Sequence, residues 1–227
     1  MKNIYLVLAI SLFLTQHSYA QGEIGGYNVV KDGFISVSPT DINDNVKGSQ
    51  YITDDFVPAK ISISKNEVFQ IKFNGVLDEI VVKGQDGKPY ALNKHLKDIK
   101  ITLIGSKKAY QMFDYVNEND TRLSGYFLLN ATSNSNIKLL KKEKIKFFEE
   151  KVATNGYDSN VPAQYKRLKD KFFIKKNDEL AIEIPTNKKD FAKLFPKRQK
   201  EILSFIKKEK IKFKKESDLL KLVNHLN

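Results

Sequence analysis

The chain reads as a mainly β protein, an antiparallel meander forming a half-open sheet or a sandwich, followed by a short C-terminal α-helical module. Three observations predict this. From Tyr27 to Ile184 the apolar residues fall in short alternating runs broken by turn residues. The pairs Asn74-Gly75 and Asp86-Gly87 sit between such runs, where tight reversals of an extended chain are made. Only beyond Asn187 does the apolar spacing change to the i, i+3, i+4 pattern of an amphipathic helix.

Residues 1–20 read as a signal peptide. Lys2 supplies a short positive start, Ile4 to Leu14 is apolar, and Ser18-Tyr19-Ala20 has the small residues that a signal peptidase reads, with cleavage after Ala20. The apolar run is shorter than the roughly 20 residues that cross a bilayer, and no later stretch is a candidate transmembrane segment of the mature chain. Gln21 stands where a lipoprotein would need Cys. The expectation is an exported chain, periplasmic or secreted.

Residues 21–152 are expected to form the β-rich domain. Strands are predicted at Tyr27–Val30, Phe34–Val37, Ala59–Ser64, Val68–Phe73, Val76–Lys83, Tyr90–Leu92, Ile99–Leu103, Lys108–Phe113, Leu123–Leu129 and Ile137–Phe148. Asn74-Gly75 is expected to close a two-residue hairpin, because both residues accept positive φ. Ile99, Ile101 and Leu103 fall on one face. Residues 153–169 read as a loop or linker, rich in Asn, Gly and Asp. Residues 170–186 read as a hairpin, with Phe172 and Ile174 facing Leu180, Ile182 and Ile184. Residues 187–227 are the Lys-rich helical module, expected to cover that hairpin. Asn187 caps a first helix carrying Phe191, Leu194 and Phe195, and Pro196 ends it. A second carries Ile202, Phe205 and Ile206, Ile211-Lys212-Phe213 connects, and a third carries Leu219, Leu222, Val223 and Leu226.

Composition narrows the function classes. The absence of cysteine removes disulfide frameworks, thiolate metal sites and Cys nucleophiles. Three histidines, one of them in the signal segment, leave little for His-based metal or triad chemistry. Net charge is +12, and residues 187–227 hold 13 basic residues against 5 acidic ones. Only Arg122, Arg167 and Arg198 are arginines, whereas recognition of bases and phosphates favours the Arg fork, so no nucleic-acid partner is expected.

Asp41-Ile42-Asn43-Asp44-Asn45 opens like a calcium loop, but Val46 and Ile52 replace its Gly and closing Glu, so a polar turn is expected. Gly84 to Lys88 lacks the Ser or Thr of a phosphate loop. His95, in a polar connection, is the one candidate general base, without a second His or nucleophile near it in sequence. The pairs Asp54-Asp55 and Asp78-Glu79 would diverge if placed within strands. Lys141–Phe147 recurs letter for letter as Lys207–Phe213, with a strand expected for the first copy and a helix end for the second. No catalytic, cofactor-binding or metal-ligating residue is assigned, and no cofactor is expected.

The signal peptide ahead of Gln21, Phe56-Val57-Pro58-Ala59-Lys60-Ile61, Asp78-Glu79-Ile80, Asp170-Lys171-Phe172-Phe173 and the tail around Phe205-Ile206-Lys207-Lys208 and Asp218-Leu219-Leu220-Lys221-Leu222 together resemble small exported proteins of the Bacteroidota. The resemblance implies location in a Gram-negative envelope and brings no activity or site residues with it. The leading expectation is a non-enzymatic binding or interaction protein whose partner is a protein or an envelope component. Two alternatives stand beside it: weak peripheral contact of the Lys-rich tail with an anionic envelope surface, and a hydrolase using His95.

Overall fold

A computed structural model of the protein describes residues 23–24, 27–28, 33–36, 46–64, 66–96, 98–130, 135–153 and 159–227. The expected signal peptide and the Asp41–Asn45 turn lie outside these residues. In chain order come β1 (Glu23–Ile24), β2 (Tyr27–Asn28), β3 (Phe34–Ser36), β4 (Val57–Ile61), β5 (Phe69–Asn74), β6 (Glu79–Lys83), β7 (Pro89–Leu92), β8 (Lys100–Leu103), β9 (Lys108–Val116) and β10 (Arg122–Asn130). There follow β11 (Ile137–Lys142), β12 (Ile145–Phe148), β13 (Gln164–Arg167), β14 (Lys171–Lys176), β15 (Ala181–Glu183), α1 (Lys188–Lys193), α2 (Gln199–Lys208) and α3 (Glu216–Leu226). The protein is mainly β with a C-terminal helical module. Among the described residues no helix is long and apolar enough to cross a membrane.

Among the described residues eleven strands form one sheet in the order β3-β7-β6-β5-β4-β8-β9-β15-β14-β11-β10, while β1–β2 and β12–β13 pair separately. β10 also returns to β9 along its whole length, from Arg122↔Val116 to Asn130↔Lys108. Strands β9, β10, β11, β14 and β15 therefore close into a ring, and among the described residues the sheet has a free edge at β3. Five strands cannot all alternate in direction around a ring; the odd contact, β15 on β9, is parallel.

Period-two alternation lets these strands serve three cores. Tyr110 of β9 and Tyr126 and Leu128 of β10 face the first core, with Phe34, Ile61, Ile71, Phe73, Ile80 and Ile101. Ala109, Phe127 and Leu129 face the ring interior, where they meet Leu140 of β11 and Phe173 of β14. Phe127 and Phe173 pack edge to face there, 5.1 Å between centroids. Ile174 faces outward and is covered, with Leu139 and Phe172, by the helices.

The helical module follows its sequence signals closely. The side chain of Asn187 caps α1 by accepting from the Lys189 N–H at 2.8 Å. Helix α2 ends with Lys210 at φ 51, while Ile211 N–H donates to Ile206 O at 3.1 Å and Lys210 N–H to Lys207 O at 3.4 Å. This is a Schellman end with Lys in the position usually held by Gly. The connector is then anchored by buried Ile211 and by Phe213, whose ring lies 5.6 Å from that of Phe191. Leu219, Leu222, Val223 and Leu226 of α3 are all buried.

Four details differ from the sequence reading. The stretch Ile137–Phe148 is two strands in separate sheets, because Glu143 is drawn inward by the Tyr110 hydroxyl and the Arg167 guanidinium and breaks the alternation. Within 153–169, Gln164–Arg167 is a strand paired with β12, so this segment is more than a linker. Residues 170–186 contribute β14, which pairs with β11 over six residues and thereby belongs to the main sheet. The Asn74-Gly75 reversal is longer than two residues, since Asn74 pairs with Glu79. Asn74 Oδ1 accepts from the N–H groups of Val76 and Leu77, and Asp78 takes the positive φ of 57. Gly75 serves close approach instead, since a Cβ there would lie 2.9 Å from Ile145 Cγ1.

Candidate functional site

The ring has a weak seam between β10 and β11. Among the described residues these strands share one register pair, Leu128↔Lys141, where β9 and β10 share nine. On one side of that pair, side chains replace the ladder. Asp78 Oδ2 accepts the Tyr126 N–H at 3.2 Å, and Lys142 Nζ donates to Tyr126 O at 2.9 Å. Lys142 also contacts both Asp78 oxygens, at 2.8 and 2.7 Å, and its ammonium lies 4.9 Å from the Phe127 centroid. Gly125 leaves the space for this pair, because a Cβ there would collide with Asp78 Oδ2 and Lys142 Nζ. Burial lowers the Lys142 pKa against the opposing attraction of Asp78.

On the other side of Leu128↔Lys141 the seam opens into a cleft of about 350 Å³ beneath α3. Leu128, Leu129, Leu139, Phe172, Leu220 and Val223 supply apolar surface, and Lys107, Lys108, Lys138 and Lys141 contribute cationic side chains. Helix α3 is tied down at both ends. Glu216 pairs with Lys108 at 3.2 Å and Lys141 at 3.5 Å. At the other end, Asn227 accepts from Ile137 N–H and donates to Ile137 O, both at 3.0 Å. Arg198 closes the helix by donating to Leu226 O at 2.8 Å and His225 O at 3.2 Å.

Behind the cleft lies a buried charge network. Glu143, 5% exposed, accepts from the Tyr110 hydroxyl at 2.6 Å and from Arg167 at 2.7 Å. Lys141 reaches Glu143 at 3.4 Å and Asp170 at 3.5 Å. Burial opposes the Lys141 charge, but Glu143, Glu216 and Asp170 together outweigh it and raise its pKa. Burial, with Glu143 beside it, pushes the Tyr110 hydroxyl well above the usual phenol range. The network joins β9, β11, the β12–β13 ribbon and α3. Its charges are matched internally. Lys107 and Lys138 differ, having no carboxylate partner among the described residues.

The residues that the sequence singles out lie elsewhere. His95 is exposed between β7 and β8, and its N–H donates to Asn93 Oδ1 at 2.9 Å. It borders an open depression of about 500 Å³ with Asp98, Asp114, Arg122 and Ser124. Among the described residues its ring makes no hydrogen bond to a carboxylate or hydroxyl. Asp54 and Asp55 are exposed ahead of β4. Asp78 and Glu79 diverge, Asp78 to Lys142 and Glu79 to Lys94 at 3.3 Å. Gly84–Lys88 is a hairpin turn, with Gly84 N–H donating to Lys88 O at 2.8 Å. The cleft residues gave no local signal, since they come from five separated segments and each reads as ordinary strand or helix surface.

Comparison with protein-family models, curated proteins and solved structures finds no match to this chain.

Proposed function

We propose that the protein is an exported, non-enzymatic binding protein of the cell envelope, and that it binds its ligand in the cleft between α3 and the β10–β11 seam. The observation that carries this reading is concavity combined with apolar lining. Ligand sites of about 300–1,000 Å³ present mainly apolar surface with a few polar groups, and the surface of the α3 cleft is mostly apolar although four lysines border it. Export rests on the Lys2 to Ala20 segment and on the Bacteroidota resemblance. Leu220, 37% exposed in the cleft, is apolar surface that the fold leaves uncovered.

Native mass spectrometry of protein recovered from its own envelope tests the reading. The expected result is a chain beginning at Gln21 carrying a noncovalent ligand that Leu220→Asp displaces. A chain that carries no ligand, or one whose ligand survives Leu220→Asp, overturns the cleft assignment. Exposed Lys207, Lys208 and Lys210 favour a second reading, weak contact with an anionic surface. That contact should disappear in high salt, whereas cleft binding dominated by apolar burial should persist.

A further inference from the structure

We infer that the cleft takes an anionic amphiphile, a single apolar chain ending in a carboxylate or phosphate group; this rests on the cleft being the binding site. Between Leu128↔Lys141 and the start of β11, the described residues of the two strands make no further register pair, and α3 lies over the gap. The resulting trough has Leu128, Leu139 and Phe172 on its sheet side and Leu220 and Val223 on its helix side. An elongated apolar chain fits between two such walls. A flat polar molecule would leave both walls wet.

Charge at the rim selects the head group. Lys108 and Lys141 also border the cleft, but Glu216 lies within 3.2 and 3.5 Å of them, so they are already compensated. Lys107 and Lys138 line the same cleft with no carboxylate partner among the described residues. Among the described residues Glu216 is the one carboxylate in the lining, and its two oxygens face those paired lysines. The uncompensated charge beside the apolar trough is therefore positive. A neutral chain would gain the apolar contact alone, whereas an anionic head would also acquire charge-assisted hydrogen bonds from two ammonium groups.

The lack of cysteine makes the test direct. A polarity-sensitive dye on Asn224→Cys, an exposed position bordering the cleft, reports entry into the trough without competing labels. Titration with dodecanoate is expected to shift the dye emission, and decanoate should bind more weakly by about fourfold for each methylene lost. Dodecanol should bind about tenfold more weakly than dodecanoate, and Lys107→Gln with Lys138→Gln should remove that difference while leaving dodecanol unchanged.

Equal affinity for dodecanol and dodecanoate, with no effect of the double variant, overturns the anionic head group while leaving an apolar cleft ligand standing. Competition by acetate as effective as that by dodecanoate overturns the amphiphile, since the lysines alone would then be the site. No dye response to any of these chains overturns the inference and the cleft reading together. Dodecyl phosphate against dodecanoate then distinguishes the two head groups, and either preference agrees with the inference.

Discussion

Lys142 lies within 2.8 Å of both carboxylate oxygens of Asp78, and together the two side chains satisfy the N–H and C=O of Tyr126 where β11 has stopped. An ion pair stands in for a missing step of the β ladder. Replacing one partner would leave the other charge partly buried and unpaired. Lys142→Met is expected to cost about 3–5 kcal/mol, and adding Asp78→Asn should recover much of it. Asn tolerates the positive φ at position 78 and retains an acceptor for Tyr126. Denaturant midpoints of the three variants check this, and an additive double variant would contradict the pairing.

Gly125→Ala should destabilise by about 1–3 kcal/mol, because its methyl would enter the space of Asp78 and Lys142. In the Lys142→Met, Asp78→Asn background the cost should fall, since shorter or uncharged groups can move aside. Thermal unfolding of the single and combined variants measures the difference.

The two neighbouring lysines should respond to alkali with opposite signs. Lys142 has a lowered pKa in the fold, so between that value and the ordinary lysine pKa of 10.5 the unfolded chain binds more protons and stability rises with pH. Lys141 has a raised pKa, so its contribution is full below 10.5 and is lost as pH climbs through its folded value. The stability difference between wild type and Lys142→Met should therefore grow towards pH 10.5, and that between wild type and Lys141→Met should shrink above it. Urea unfolding across this range reads both slopes.

In the tail, Leu219→Ala is expected to cost about 2–5 kcal/mol, because Leu219 is fully buried between α3 and the sheet. Phe205 is half-buried and stacks on His225 at 3.9 Å, so Phe205→Ala should cost less than Leu219→Ala. Neutralising Lys207, Lys208 and Lys210 together should stay within about 0.5 kcal/mol, since all three are exposed. Urea midpoints rank the three variants; an unstable Lys variant would contradict the solvated-face assignment.

Lys210→Gly should raise stability by about 0.5–1 kcal/mol. Lys210 occupies the left-handed position of a Schellman end at φ 51, where a Cβ is unfavourable. The gain is read as a higher thermal midpoint, and a fall would mean that the flexibility Gly adds to the unfolded chain outweighs the relief.

Much of the fold was legible locally because its signals are local. Alternation placed β9 and β10, and Asn187 and Pro196 set the start and end of α1. Each of the three arginines is engaged within the molecule: Arg122 with Asp114, Arg167 with Glu143 and Asp170, Arg198 with Glu201 and the end of α3. The cleft was not legible, because no window of sequence contains both Lys107 and Leu220.

The repeated heptapeptide separates what sequence determines from what packing decides. From sequence alone the flanking context assigns Lys141–Phe147 to strand and Lys207–Phe213 to a helix end, whereas the structure breaks the first copy at Glu143-Lys144 between β11 and β12 and ends α2 at Lys208 in the second. Tertiary structure decided the fate of the acid within it. Glu143 is buried because Tyr110, Lys141 and Arg167 converge on its carboxylate, whereas Glu209 at the same place in the second copy faces solvent. The same holds for Asp78 and Lys142, two charges that read as surface and are 28% and 12% exposed. Alternation and helical spacing are encoded between neighbours a few residues apart, so a sequence displays them. Burial of a charge depends on partners brought from tens of residues away, and only the closed chain supplies them.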